Sequence, residues 1–199
     1  MRYLRKIPDS KIVQEGWHYR TSSHRPHIRR ELLREQQGYC AYTERYVEPL
    51  DSCDIEHFDN RLKGQSEDDY WNWYAVHHWA NMQKRSIEQF LPILLPHDPT
   101  MAERVVYKAG QFQPVDPNDL AAKNLIAFLK WNDPTVAEYR SKFIRRVKDL
   151  RMLLNDDVLF LAYLREHPEE CSFITVLEAE LGLSLGETRT NFHAKHKSS

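Results

Sequence analysis

Cysteine is scarce: 199 residues carry three, Cys40, Cys53 and Cys171. So odd and sparse a set excludes a disulfide framework. An excess of one charge is also lacking. Lys and Arg total 28 against 29 Asp and Glu, a formal net charge of −1. A domain that held nucleic acid by charge alone would be basic, so any such binding must come from local basic patches, a bound metal or a partner subunit. No apolar run is long enough for a membrane span, and the opening "MRYLRKIPDSKIV" lacks the apolar stretch of a secretory signal. The expectation is a cytoplasmic chain in a reducing setting, without membrane association. No internal repeat and no low-complexity tract is found. What remains is globular material, 41% hydrophobic and 12% aromatic, enough for one core with a helical extension.

The patterning predicts an α+β chain that is mostly helical. Residues 1–23 read as an arm, or a strand and loop. "HRPHIRRELLREQQGY" (24–39) reads as a helix, with Ile28, Leu32 and Leu33 on one face and Gly38 as its stop. "YCAYTERYV" (39–47) and "CDIEHF" (53–58) read as strands around a "PLDS" turn. A polar loop leads to "YWNWYAVHHWANMQKRSIEQF" (70–90), which reads mainly as a helix. Residues 103–117 suggest a hairpin about Gly110. Helices are expected over 117–131, 133–154 and 156–167, with another after 169 and a disordered tail. The domain expectation is an arm (1–23), a core (24–100), a helical region packed on the core or docking a partner (101–190), and a flexible tail (191–199).

The chemistry is concentrated between Asp54 and Lys84. Hydrolysis of a phosphodiester needs an activated water, a cation for the developing charge and help for the leaving oxygen. A histidine of near-neutral pKa can deprotonate the water. A carboxylate and a neutral oxygen ligand can hold a hard cation such as Mg²⁺. "DIEHF" supplies Asp54, Glu56 and His57, and Asn72 and Asn81 follow. Glu56 and His57 are adjacent, so a regular strand would point them to opposite faces. They serve one site only if the strand ends or twists there, or if the metal lies at its edge. His77 stands four residues before Asn81, on the same face if both are helical. Each residue also has a plainer reading: a satisfied buried histidine, a solvated acidic turn, a helix cap at Asn72. Asn81 in mid-helix is costly by propensity, which favours a functional reason. Lys84 and Arg85 are placed to meet a strand of nucleic acid or to lie on a solvated surface. The basic run "KFIRRVKDLR" and the aromatics of 70–79 have the same double reading, with solvated face and core as the commoner outcomes.

These residues resemble an HNH endonuclease of the ββα-metal class. The resemblance rests on Asp54, Glu56 and His57 as D-x-E-H, on Asn72, and on Asn81 nine residues later with Lys84 after it. It implies that His57 is the general base, that Glu56 and Asn81 hold Mg²⁺ or Mn²⁺, and that Asn72 pins the loop that orients His57. Asp54 and His77 would support the ligands from outside, and Lys84 and Arg85 would meet nucleic acid. Residues 30–95 carry it closely. A looser likeness through "ILLPHDP" and "IAFLKWNDPTVAEYR" is to the PtuB-like HNH subunit of Septu-type antiphage systems and related retron effectors, which works beside an ABC-type ATPase. One departure stands out. Where many members have two C-x-x-C pairs for structural zinc, this chain has "CAYT" and "HHWA", leaving Cys40 and His77 of four ligands. Structural zinc is therefore expected to be absent, with Tyr39, Tyr42, Trp73 and Trp79 packing the turn instead. Cys171 is expected to be a buried structural thiol.

The resulting expectation is a metal-dependent endonuclease acting on nucleic acid, DNA first and RNA second. The rival is a catalytically decayed HNH-fold adaptor or nucleic-acid-binding subunit. Retention of His57, Glu56, Asn72 and Asn81 beside the lost cysteines favours the enzyme.

Overall fold

The computed structural model of the chain describes residues 4–185. It mixes helices with two small antiparallel sheets. Helices α1 (Lys11–Gln14) and α2 (Arg25–Glu35) come first. Pro26 sits in the first turn of α2, where its missing N–H costs nothing. Gly38 ends that helix with φ +83°, its N–H bonded to Leu33 O at 2.8 Å. A Cβ there would stand 2.7 Å from the Tyr46 ring, so only glycine fits both the turn and the contact.

Strand β1 (Cys53–His57) pairs with β2 (Trp73–His77), Cys53 opposite His77 and His57 opposite Trp73. A single 3₁₀ turn, Tyr70–Asn72, leads into β2, and the short helix α3 (His78–Gln83) leaves it directly. The first sheet is thus strand, long loop, strand, helix. Two expectations are corrected. The segment 70–90 is not mainly a helix: a 3₁₀ turn and strand β2 come first, α-helix is confined to α3, and a second 3₁₀ turn follows at Ile87–Phe90. All five residues of β2 are buried, so both its faces are covered and its apolar pattern does not alternate. Such a run reads equally as a buried helix. Segment 39–47 is not a strand: it is a turn closed by one bridge, Tyr39 to Tyr46, with Glu44 at φ +56°.

Beyond α4 (Met101–Arg104), strands β3 (Val105–Lys108) and β4 (Gln111–Pro114) form the expected hairpin about Gly110. Then come α5 (Leu120–Phe128), α6 (Pro134–Leu154), α7 (Asp157–Glu166) and α8 (Ile174–Leu181). Asp119, Asp133 and Asp156 cap the first three by accepting backbone N–H bonds. None of the described helices is long and apolar enough to cross a membrane. The expected tail 191–199 lies outside the described residues.

The first sheet divides the interior. On one face Ile12, Ile28, Leu32, Ile55, Trp73 and Ala75 pack as a small cluster with α1 and α2. On the other, Tyr42, Phe58, Tyr74 and Val76 join Phe128, Trp131, Ile144, Phe160 and Leu177 in the main core. The C-terminal helices therefore share their apolar faces with the hairpin. Cys171 is buried there, its thiol on Leu164 O at 3.3 Å.

Candidate active site at the first hairpin

His57 is the last residue of β1, and its ring lies on the small-cluster side. It is 3% exposed. The Tyr19 ring stands edge-on to it at 4.3 Å, and Trp73 lies behind at 6.3 Å. Asp68 Oδ2 is 3.1 Å from His57 Nε2, yet Nε2 has no hydrogen bond of acceptable direction. The contact is one of charge and proximity. Burial, with Lys63 and Lys84 nearby, outweighs Asp68 and lowers the His57 pKa to about 4. The imidazole is neutral at neutral pH, the form that accepts a proton.

Asn72 controls this loop. Its Oδ1 accepts from Asp59 N at 2.8 Å, and its Nδ2 donates to Asp59 O at 3.1 Å and to Asp68 Oδ1 at 3.0 Å. Trp73 Nε1 donates to the same Asp68 oxygen at 2.8 Å. Asn72 thus ties the loop just after His57 and holds the acid that faces the imidazole. Beneath it, buried Lys6 donates to Tyr70 O and Trp73 O on either side of Asn72. Its amine lies over the Tyr70 and Tyr74 rings at 4.2 and 4.5 Å. Burial depresses its pKa to about 7 against the pull of Glu35 and Asp69.

Asp54 and Glu56 alternate to the other side of β1, so the regular pairing through His57 leaves the imidazole and the two acids on opposite faces, as a plain strand dictates. Glu56 is buried and ion-paired with Lys84, whose amine also reaches the carbonyls of His57 and Phe58. Burial raises the Glu56 pKa, and Lys84 opposes the rise. Glu56 Oε1 is the oxygen that Lys84 meets, so the buried carboxylate is compensated chiefly by that ion pair. Asp54 Oδ2 takes Asn81 Nδ2 and His78 Nδ1, each at 2.8 Å. Asn81 therefore touches Asp54 rather than Glu56, and Asp54 stands nearer the site than an outer acid would. Lys84 is committed to Glu56 and does not face solvent as a nucleic-acid contact should, whereas Arg85 is exposed.

Among the described residues no three His, Cys, Asp or Glu side chains converge as a metal cluster. The oxygen donors of this corner still suit a hard cation. Asp54 and Glu56 share a strand face, and the Asn81 amide turns its oxygen inward on a simple flip, but Glu56 Oε1 is the oxygen paired with Lys84, so a cation there would displace that amine.

His77 lies elsewhere. It ends β2 instead of sharing a helical face with Asn81. Its Nε2 meets Asp51 Oδ2 at 3.0 Å, and its backbone N–H donates to Cys40 Sγ at 3.4 Å. Burial lowers its pKa, but Cys40 and Asp51 raise it further, for a net upward shift. Cys40 and His77 are thus in contact at the end of β2. Tyr39 and Tyr42 pack the turn, on Tyr46, Phe58 and Tyr74. Trp73 belongs to the opposite cluster, and Trp79 is 49% exposed, so neither does.

Two neighbours of His57, Tyr19 and Asp68, are missing from the sequence reading. Neither has a local signature, since one comes from the arm and the other from a polar loop. Set against protein-family models, curated proteins and solved structures, the chain matches none, and its function must be read from the residues and their geometry.

Proposed function

We propose that the protein is a metal-dependent endonuclease of the HNH kind, hydrolysing phosphodiester bonds of nucleic acid, DNA foremost. One observation carries the reading. The Asn72 side chain ties the loop after His57 at both backbone atoms of Asp59 and at Asp68, the task that the resemblance assigns to the central asparagine. Neutral His57 takes the proton from the attacking water, and Asp68 steadies the imidazolium that forms. Glu56, Asn81 and Asp54 would hold Mg²⁺ or Mn²⁺, which offsets the charge developing on phosphate and leaving oxygen. Tyr19 covers His57, and the His57 ring lies across β1 from Asp54 and Glu56, so joint action on one phosphodiester requires the arm and the end of the strand to shift. An ABC-type ATPase partner, implied by the likeness to Septu-type systems, is the agent proposed for that shift.

A second reading, a decayed adaptor, has one observation in its favour: His57 and Glu56 are both buried, and Glu56 already has a cation in Lys84. Cleavage of plasmid and of total RNA with Mg²⁺ or Mn²⁺ separates the two readings. Wild type is assayed beside His57→Ala and Asn81→Ala, alone and with any co-encoded ATPase. Metal-dependent cleavage lost in both variants supports the enzyme. No cleavage in any combination supports the adaptor.

A further inference from the structure

Between α3 and the start of α6 lies a cavity of about 280 Å³, lined chiefly by Arg45, His77, Trp79, Val136, Tyr139 and Phe173. Its rim is aromatic. Trp79 is 49% and Tyr139 51% exposed, so two large flat side chains are left half in water instead of joining the core. Phe173 is edge-on to Tyr139 at 6.0 Å. The polar end pairs a cation with an acid: the Arg45 guanidinium lies 5.8 Å from the Tyr139 ring centre and 3.4 Å from Asp51, a loose pair that leaves guanidinium donors free. Asp51 in turn holds His77.

Flat aromatic walls stack on flat rings, and a guanidinium binds phosphate through its forked donors. Cavities for drug-sized ligands begin at about 300 Å³, so this one suits a single nucleotide unit. Trp79 follows His78 and precedes Asn81 by two residues on the same short helix. The cavity is therefore separated from the acid–amide corner by about one helix width, roughly 10 Å.

We propose that this cavity receives one unpaired nucleotide of a nucleic-acid strand, its base against Trp79 and Tyr139 and its phosphate on Arg45, so that the preferred ligand is single-stranded or locally melted. The proposal rests on the nuclease reading for its link to cleavage and narrows the substrate class of that site. A base inside a duplex is stacked on its neighbours and enters only by flipping, at a cost.

The test is fluorescence anisotropy of the full chain with labelled eight-nucleotide DNA and RNA strands and with a matched duplex, in EDTA so that nothing is cleaved. Trp79→Ala, Trp79→Phe, Tyr139→Ala and Arg45→Met are compared after circular dichroism has shown each to be folded. Single strands are expected to bind at least about tenfold tighter than duplex. Trp79→Ala should lose about tenfold, with most of the loss restored in Trp79→Phe. Arg45→Met should weaken binding and flatten its salt dependence. Equal affinity for strand and duplex would overturn the proposal. So would unchanged binding in both Trp79→Ala and Tyr139→Ala, or a free mononucleotide that competes as well as the strand. Cleavage assays on the same preparations separate the two claims. Strand binding through Trp79 without cleavage removes the nuclease reading and leaves the cavity assignment. Metal-dependent cleavage with Trp79 indifferent does the reverse.

Discussion

The two faces of strand β1 do opposite things with charge. Toward α3, Asp54 and Glu56 are ionic and compensated, one by donors from His78 and Asn81, the other by Lys84. Toward the small cluster, two residues are apolar or neutral: Ile55 packs in the interior, and His57 is held uncharged by burial. One five-residue strand thus carries an acid corner on one side and a neutral imidazole on the other. The difference teaches why adjacency in sequence is useful here. Alternation puts the acids and the imidazole back to back, and the end of the strand at His57 brings both within reach of Lys63 and Lys84.

The comparison breaks most visibly at the base. His57→Ala is expected to lower metal-dependent cleavage by about 10²–10⁴-fold, with circular dichroism unchanged. On the acid face, Lys84→Met leaves Glu56 buried and unpaired and should cost about 3–5 kcal/mol in urea denaturation. Adding Glu56→Gln should recover most of that loss, whereas two independent sites would add. The loop that joins the faces comes next. Asn72→Ala strands the Asp59 and Asp68 groups and should cost about 1–3 kcal/mol, with a parallel fall in cleavage.

The pH response sharpens the contrast further. His57 has a folded pKa of about 4, below its ordinary value of 6.5. Its neutral form therefore favours the fold above pH 6.5, and that contribution is lost as pH falls toward 4. Cleavage should likewise keep its acid limb near pH 4, and an imidazole titration by NMR that centres near 6.5 would contradict the buried geometry. The smallest effect is expected at Asp54, whose partners are partly in water. Asp54→Asn should change stability by no more than about 1 kcal/mol while raising the Mg²⁺ concentration needed for half-maximal cleavage.

Sequence spacing reaches furthest where the proposed function rests on single side chains. The likeness marked His57, Asn72 and Asn81, and the structure places Asn72 on the His57 loop and Asn81 at the acid corner. Helices α2, α5, α6 and α7 and the β3–β4 hairpin about Gly110 fall within the segments where the sequence predicts them. Segment 70–77 was not, because a strand covered on both sides loses its alternation; its Trp, Tyr and Val content was the surviving sign of strand. Residues 39–47 carry the same aromatic composition but bend at Glu44, whose positive φ has no sequence signature. Asp68 and Tyr19 reach His57 only through tertiary folding, and no spacing rule connects positions so far apart.

Lys6 gives the N-terminal arm an unusual kind of anchor. With its pKa near 7, the amine that brackets Asn72 is largely uncharged at mildly alkaline pH and still donates to two carbonyls. In the window from about 7 up to the ordinary lysine value of 10.5, unfolding takes up a proton, so this contribution to stability rises with pH. A strap of that sort answers first to acidification, which recharges the buried amine and loosens its hold on the two carbonyls.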